Sequence, residues 1–519
     1  MSNNEIVQKL WNLCDVLRDD GINYSDYVTE LVLLLYIKME HENREAGIEN
    51  KHPLPEGYRW TDLRDKSGLN LLKHYKQMLE SLSYSDDRQV SAIYTDAQTS
   101  LREPRHLEQL VKSLDTIDWF SAQRDGLGDL YEGLLEKNAS ETKSGAGQYF
   151  TPRPLIDSII RCIKPRVREI VQDPAAGTAG FLIASDTYIK AQTDNLYSLE
   201  TKDRNFQRRK AYVGMELVPS TRRLALMNGL LHGIEGEEDG FVWLGNTLGE
   251  AGKTLPKADV ILTNPPFGTA KGGGGPTRDD LTFSTSNKQL AFLQHIYRSL
   301  KPGGRAAVVL PDNVLFESGI GTEIRRDLMD KCCLHTILRL PTGIFYAQGV
   351  KTNVLFFTRG TPEKPRQEEG CTQDVWVYDL RSNMPNFGKR TPFGESHLTP
   401  FEAVYGEAPD GTSVRKEGDW AFSPDGANRT PETSRWRKFS REWIRTTKND
   451  SLDISWIKDE NSVDAQSLPE PGVLAAEAMA ELTEALRELN GLMESLGCAD
   501  EAKVQRDLLA DVLGLEAKA

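Results

Sequence analysis

Three groups of residues in this chain have types and spacing suited to chemistry. The most distinctive is Asn264-Pro265-Pro266-Phe267, directly after the apolar run ADVILT. Two consecutive prolines fix the backbone, so the Asn264 amide oxygen and the Pro265 carbonyl can be held converging on one point. Both accept hydrogen bonds. Together they can grip the two protons of an exocyclic amine and turn its nitrogen toward an electrophile, while Phe267 stacks on the ring that carries the amine. The competing reading is a tight turn capped by an aromatic. The second group is Asp173-Pro174-Ala175-Ala176-Gly177-Thr178-Ala179-Gly180, between a strand-like run and a helix-like one. Small residues let the backbone turn sharply and approach a ligand, and a helix N-terminus offers N–H groups. Many α/β proteins carry such a turn for structural reasons alone. The third is Glu216, at the end of the next apolar run, where a carboxylate can accept both hydrogen bonds of a ribose diol. It lies 43 residues beyond Asp173, against a usual spacing of about 20. The polar stretch 190–210 reads as an inserted loop that accounts for the excess.

Strands are needed to bring these groups to one edge. Between about 150 and 360, short β-branched or apolar runs alternate with helical stretches. Strand candidates are 169–173, 211–217, 258–263, 305–310, 335–340 and 353–358. Helices fit at 154–163, 179–190, 219–233, 287–300 and 320–331. The alternation predicts an α/β fold with a parallel, doubly wound sheet. Ligands of such sheets bind at the carboxyl ends of strands, and all three groups fall at such ends.

The flanks read differently. Val7, Leu10, Trp11, Cys14 and Leu17 form one amphipathic stripe, and LVLLLYIKM (31–39) is apolar nearly all round, as in a buried helix. Further helices are expected at 68–83, 87–99, 106–114 and 127–137. The chain is thereby divided into an N-terminal helical domain (1–140), a catalytic domain (141–400), an irregular extension (401–467) and a helical tail (468–519). The first can be a packing domain, a helical DNA clamp or a partner dock. In the tail, Leu482, Leu486, Leu489, Met493 and Leu496 make a short coiled-coil-like seam. Residues 473–519 carry ten acidic and four basic side chains, and this helix either packs on its own chain or docks a partner.

Hydrophobic residues make up 39% of the 519 and charged residues 27%, an ordinary globular composition. No apolar run approaches the ~20 residues needed to cross a bilayer, and the first residues lack the pattern of a secretory signal. Six cysteines (Cys14, Cys162, Cys332, Cys333, Cys371, Cys498) show no C-x-x-C spacing. That argues against a zinc site or a disulfide framework and fits a reducing cytoplasm. The eight histidines include no H-x-x-x-H pair, so no metal is implied. The net charge is −14, whereas a protein that grips DNA unaided shows a basic excess. Either nucleic acid is not the substrate, or a partner brings the basic surface.

The order of the three groups resembles an amino-methyltransferase that uses S-adenosylmethionine and acts on adenine N6 in DNA, in the gamma arrangement (cofactor loop first, Asn-Pro-Pro-Phe loop second). The whole chain is similar to the modification (methylase) subunit of type I restriction enzymes. The most specific stretch is Lys143-Ser144-Gly145-Ala146-Gly147-Gln148-Tyr149-Phe150-Thr151-Pro152-Arg153. It looks like that family's cofactor segment just upstream of a Rossmann-like core. The resemblance implies that Gln148 to Arg153, Asp173, Ala176 to Gly180 and Glu216 contact S-adenosylmethionine, and that Asn264 to Phe267 hold and stack a flipped adenine. It also implies that a separate specificity subunit reads the DNA, flanked by two copies of this subunit, and that a motor-nuclease subunit joins for restriction.

Two positions depart from the family pattern. Many relatives have glycine in place of Ala179, whose methyl would crowd the cofactor. Relatives also carry Asp after the third strand, where this chain has Gly245-Asn246-Thr247; the Asn246 oxygen can accept the same bond from the cofactor's adenine. After Phe267 comes a run with Gly272 to Gly275. It is either a tolerated insertion or a loop over DNA, with Lys271 and Arg278 meeting phosphates. Two rivals stay open: a methyltransferase acting on protein glutamine or RNA, and a scaffold that binds S-adenosylmethionine only as an effector.

Overall fold

The computed structural model describes residues 3–22, 26–47, 52–117, 131–136, 150–238, 240–267, 276–345, 350–388, 391–417 and 434–458. Nine strands carry the site: β1 (Val171–Asp173), β2 (Tyr212–Glu216), β3 (Val242–Leu244), β4 (Ala258–Thr263), β5 (Leu300–Pro311), β6 (Cys332–Arg339), β7 (Thr352–Arg359), β8 (Asp374–Asp379) and β9 (Trp436–Ser440). They form one sheet in the order β3-β2-β1-β4-β5-β7-β6-β8-β9. β1 to β5 run parallel. β7 is antiparallel to both β5 and β6, and β9 is antiparallel to β8. The expected parallel sheet is therefore mixed on one side. β7 follows β6 after a link of twelve residues, 340–351. A return to a parallel strand needs a crossover of that length or more, usually with a helix in it, whereas an antiparallel neighbour does not.

Strands buried on both faces must be apolar at successive positions, as ADVILT and RAAVVL are. Val260 and Leu262 of β4 and Ala307 and Val309 of β5 join one buried cluster. Ile261, Ala306 and Val308, pointing the other way, join a second. Helices α8 (Arg153–Ile163), α9 (Gly180–Gln192) and α11 (Pro219–Leu231) supply the first cluster. Helices α12 (Lys288–Ser299) and α14 (Ile320–Lys331) supply the second. The polar stretch after α9 is not all loop. Its second half is helix α10 (Thr201–Arg209), and Arg204 ties it back to the carbonyls of Leu196 and Leu199 at 3.3 and 3.1 Å.

Among the described residues, helices α1 (Asn3–Asn12), α2 (Cys14–Asp19), α3 (Tyr27–Glu45), α4 (Trp60–Arg64), α5 (Gly68–Ser83), α6 (Arg88–Tyr94) and α7 (Pro104–Asp115) precede this core, with a further helical turn at 131–136. The stripe read as one helix breaks into α1 and α2 at Leu13. α3 is buried nearly all round, as LVLLLYIKM requires. Its Lys38 is satisfied by Glu42 and Asp115 at 2.7 Å each, with the ammonium 5.1 Å from the Trp60 ring centre. These helices rest on α11. The buried Arg223 guanidinium donates to the carbonyls of Ile93 and Thr95 at 2.6 and 2.8 Å, and the Tyr131 hydroxyl donates to the Leu224 carbonyl. The N-terminal helices thus brace the helix that follows Glu216.

At the opposite edge, β8 carries the run VWVYD, and β9 pairs with it from more than 50 residues later. Trp376 and Trp436 stack across the pair, 4.9 Å apart. The acidic tail expected to be helical lies outside the described residues. Among the described residues, no helix is long and apolar enough to cross a membrane.

Candidate active site

The parallel half of the sheet brings the carboxyl ends of β3, β2, β1 and β4 side by side. β1 and β2 end in Asp173 and Glu216, and Asn246 and Asn264 follow within two residues of the ends of β3 and β4. After β1 the chain turns through Asp173 to Gly180 before entering α9. The turn is held from below: the Ala176 N–H donates to the Met215 carbonyl, and the Ala175 N–H to Asp173 Oδ1, each at 3.0 Å. A Cβ at Gly214 would lie 2.9 Å from that of Ala176, so glycine in β2 lets the turn sit directly on the strand. Glu216 holds the turn from the side. Its Oε2 accepts the Gly177 N–H at 3.0 Å and its Oε1 the Val218 N–H at 2.9 Å. Burial raises the Glu216 pKa, and the two backbone donors oppose that rise.

Gly177 and Ala179 both adopt left-handed backbone, φ 54° and 67°. At position 179 a Cβ in this conformation costs ~1 kcal/mol or more relative to glycine. The Ala179 methyl is fully buried, so it does not face the open side of the turn, and the expected crowding does not arise there. Gly177 is the reverse case: a Cβ would meet nothing within 4 Å. We expect Gly177→Ala to cost only about 1 kcal/mol of stability, read by thermal unfolding, yet to weaken cofactor binding at least tenfold because the methyl enters the space left for a ligand. Equal cofactor affinity in the two proteins would contradict this.

Asp173 is buried beneath the turn. Burial first, and the Glu216 charge second, push its carboxyl up to about 7 from an ordinary 3.8. The folded protein then keeps a proton between pH ~4 and ~7 that the unfolded chain has released, so this group's contribution to stability falls as pH rises through that window. Asp173→Asn mimics the protonated form. Its stability relative to the parent should rise from pH 4 to pH 7 in denaturant titrations and then level off; a difference constant across the window would contradict the assignment.

Asn264 stands at the end of β4, next to β1. Its Nδ2 bonds Thr151 Oγ1 at 3.0 Å, which orients the amide with its oxygen as the acceptor end facing away. Pro265 is buried and Pro266 exposed. The Pro266 carbonyl accepts from Gln289 Nε2 at 3.0 Å. Phe267 is half-buried and meets Phe345 edge-on, ring centres 6.2 Å apart at 76°. Neither Gln289 nor Phe345 stands out in the sequence; the first is one polar residue in an amphipathic helix, the second one aromatic in a loop.

The segment upstream of α8 is divided among different tasks. Gln148 and Tyr149 lie outside the described residues, as does Lys271. Thr151 reaches Asn264, and Pro152 caps α8. Arg153 is held by Glu132 and, at 2.9 Å, by Asp157. A cavity of about 270 Å³ opens beside it, lined by Phe150, Arg153, Ile156, Thr178, Gly180 and Asn228 among others. Asn246, after β3, is exposed and accepts the Leu248 N–H at 3.0 Å through Oδ1. Two leucines beside it went unremarked in the sequence: Leu217 is 62% exposed and Leu244 42%. They flank Glu216 at the ends of β2 and β3, an apolar patch suited to the face of a planar ring. The donor set therefore fits a nucleoside: a carboxylate for the diol, open space over a glycine turn, and apolar surface next to both. Arg278 is a correction. Its side chain is 6% exposed, paired with Asp280 and bonded to His295 Nδ1 at 2.7 Å, so it anchors the chain after the glycine run and does not present itself to phosphate. Burial, with Arg278 alongside, pushes His295 down to about 3, which keeps it a neutral acceptor. Among the described residues, no group of three or more His, Cys, Asp or Glu side chains could hold a metal ion.

Known proteins are similar to this chain along its length. Residues 122–425 match the N-6 DNA methylase family, residues 6–114 the HsdM N-terminal domain, and residues 468–511 the type I restriction enzyme methylase subunit, C-terminal domain. The chain is 59% identical to the type I restriction enzyme StySPI methylase subunit of Salmonella potsdam, with 99% of each covered. It belongs to the type I restriction enzyme methylase subunits. The EcoKI methylase subunit of Escherichia coli (strain K12) is equally similar, 59% identical with 99% of each covered. The crystal structure of the EcoKI M protein aligns with a TM-score of 0.59 at 54% identity, covering 98% of this chain and 99% of that one. A chain from a structural study of complex assembly and conformational transition in the type I R-M system aligns with a TM-score of 0.69 at 25% identity, covering 96% and 98%. As a type I methylase subunit and a member of the N-6 DNA methylase family, the chain is an adenine-specific DNA methyltransferase by family, with the α/β core expected from its sequence.

Proposed function

We propose that this subunit methylates adenine N6 in double-stranded DNA with S-adenosylmethionine as donor, at sequences read by a separate specificity subunit. The observation that carries the reading is the Asn264 amide, oriented by Thr151 at the end of β4, with the Glu216 carboxylate and the Gly177 turn at the ends of the neighbouring parallel strands.

In this reading Phe150, Thr151, Pro152 and Arg153 form one wall of the cofactor site, Asp173, Ala176, Gly177, Thr178, Ala179 and Gly180 form its floor, and Gln148 and Tyr149 are further cofactor contacts. Glu216 takes the ribose diol, with Asn246, Leu217 and Leu244 around the cofactor's adenine. When bound, S-adenosylmethionine supplies an electrophilic methyl group on a sulfonium. The target adenine leaves the helix at a cost of a few kcal/mol, offset in part by stacking on Phe267, ~1–3 kcal/mol per base. Asn264 Oδ1 and the Pro265 carbonyl accept the two N6 protons and aim the nitrogen lone pair out of the ring plane. As the nitrogen gains positive charge, the same two oxygens stabilise it. The methyl–sulfur bond would break as the N–C bond forms, leaving a neutral thioether, and the surplus N6 proton would pass to water afterwards, so no separate general base is needed to form the bond. The contribution is positioning and charge organisation.

The acidic balance of the chain supports a division of labour. At −14 it is poorly matched to phosphate, and basic surface is left to partners. In this reading two copies flank one specificity subunit, a motor-nuclease subunit joins for restriction, and the complex works in the cytoplasm. The helical domain 1–140, the catalytic domain 141–400 and the tail 468–519 belong to the same proposal, with the helical domain and the acidic tail as the partner contacts; the extension 401–467 contributes β9 to the catalytic sheet. The test is transfer of tritiated methyl groups to DNA by the chain alone and with the specificity subunit co-expressed. Transfer is expected only, or far more strongly, with the partner; robust site-specific methylation by the isolated chain would overturn the division of labour.

A further inference from the structure

The Asn264-Pro265-Pro266-Phe267 loop must be rigid to hold an amine, yet two of its four residues have no N–H. The loop therefore has few donors of its own, and its carbonyls are fixed from other elements. Gln289 does this for Pro266, its Nε2 donating at 3.0 Å. The side chain is 1% exposed. Its position is itself secured, because Asn287 caps α12 by accepting the N–H groups of Gln289 and Leu290 at 3.0 and 3.2 Å. The other end of the Asn287 amide donates to Glu317 at 2.6 Å.

A buried amide costs free energy unless it is bonded, and the neighbours on this helix, Leu290, Ala291 and Leu293, are apolar and buried. Leucine would fill position 289 as well as packing requires. What leucine cannot do is hold a carbonyl. Further along α12, Gln294 does the same job for Phe283, accepting its N–H and donating to its carbonyl at 2.9 Å each. Buried polar residues of α12 thus grip main chain on both sides of residues 268–275.

We propose that Gln289 is a positioning residue for methyl transfer. By holding the Pro266 carbonyl it fixes the plane of the Pro266–Phe267 peptide. That plane sets the direction of the Pro265 carbonyl on one side and of the Phe267 ring on the other. Gln289 touches neither the adenine nor the cofactor. The inference rests on the adenine-N6 reading of this loop.

The test compares three forms of the complex with the specificity subunit: parental, Gln289→Leu and Gln289→Glu. In Gln289→Leu, kcat should fall ~10- to 100-fold, the scale of a small misplacement of reacting groups. Its S-adenosylmethionine Kd and its KM for DNA should stay within about twofold of the parent. Gln289→Glu should be impaired at pH 8 and recover relative to the parent toward pH 6. A carboxyl in this buried position protonates readily and can then donate to the carbonyl as the amide does. A Gln289→Leu kcat within about twofold of the parent overturns the proposal, as does a Gln289→Glu defect that ignores pH. Loss of cofactor binding in step with activity in both variants also overturns it, in favour of a packing role alone. A parental complex that forms no N6-methyladenine overturns the adenine reading and this inference together, and so is distinguishable from failure of the inference alone.

Discussion

Replacing Asn264 with alanine should lower kcat by ~10³-fold or more in the complex with the specificity subunit, while S-adenosylmethionine affinity stays within a few-fold of the parent. The argument is geometric. Asn264 sits at the end of β4, its amide turned by Thr151, and is one of two acceptors available to the target amine. Removing one fixed polar group aimed at developing charge costs ~10²–10³ in kcat in other enzymes. Here the same group also selects the flipped base, so the upper end is expected. The cofactor contacts proposed at the ends of β1, β2 and β3 should be left intact, and of the segment before α8 only Thr151 loses a partner. Single-turnover methylation together with cofactor titration separates the two effects. Methylation at the parental rate would remove Asn264 from the reaction.

Glu216→Ala should raise the Kd for S-adenosylmethionine about 100-fold. Two hydrogen bonds to an ionised carboxylate are worth ~1.5–3 kcal/mol each, and ~3 kcal/mol in total corresponds to roughly two decades of affinity. Without ligand the carboxylate accepts the N–H groups of Gly177 and Val218. The substitution therefore leaves two donors without their acceptor and loosens the turn before any ligand arrives. Glu216→Gln keeps an acceptor for one of them and should fall between the two. Calorimetric titration of all three proteins checks the order; an unchanged Kd in Glu216→Ala would contradict the placement of the ribose at this strand end.

Much of this was legible in the sequence, for reasons that differ by element. ADVILT and RAAVVL declare themselves as strands because both faces are covered, so Val260 to Leu262 and Ala306 to Leu310 are apolar in succession. The helices of the core show because each has one polar side. What could not be read was brevity, direction and pairing. β3 is three residues long, with Val242 buried and Leu244 exposed, too short for a period to register. The reversal of β7 does not show in its composition. WRKFS reads as a charged loop until β8 pairs with it, because Arg437 and Lys438 occupy positions that an edge strand leaves partly exposed.

The site divides the same way. The residues proposed to touch a ligand sit in compact motifs and were visible as such: Asp173 to Gly180, Glu216, and Asn264 to Phe267. The residues that hold those motifs were not, because their partners are distant in the chain. Thr151 is 113 residues from Asn264 and Gln289 is 23 from Pro266. Arg278 shows the opposite error. A cation beside a glycine run suggests phosphate, but Asp280 two residues on already neutralises it and His295 buries it.

The central claim is that these strand ends methylate adenine at N6. The most direct measurement is mass analysis of nucleosides from DNA incubated with S-adenosylmethionine and the complex of this chain with its specificity subunit, parental and Asn264→Ala in parallel. The account predicts N6-methyladenine as the product from the parental complex and its near absence with Asn264→Ala. Methyl groups on cytosine or on protein, or equal N6-methyladenine from both complexes, would contradict it.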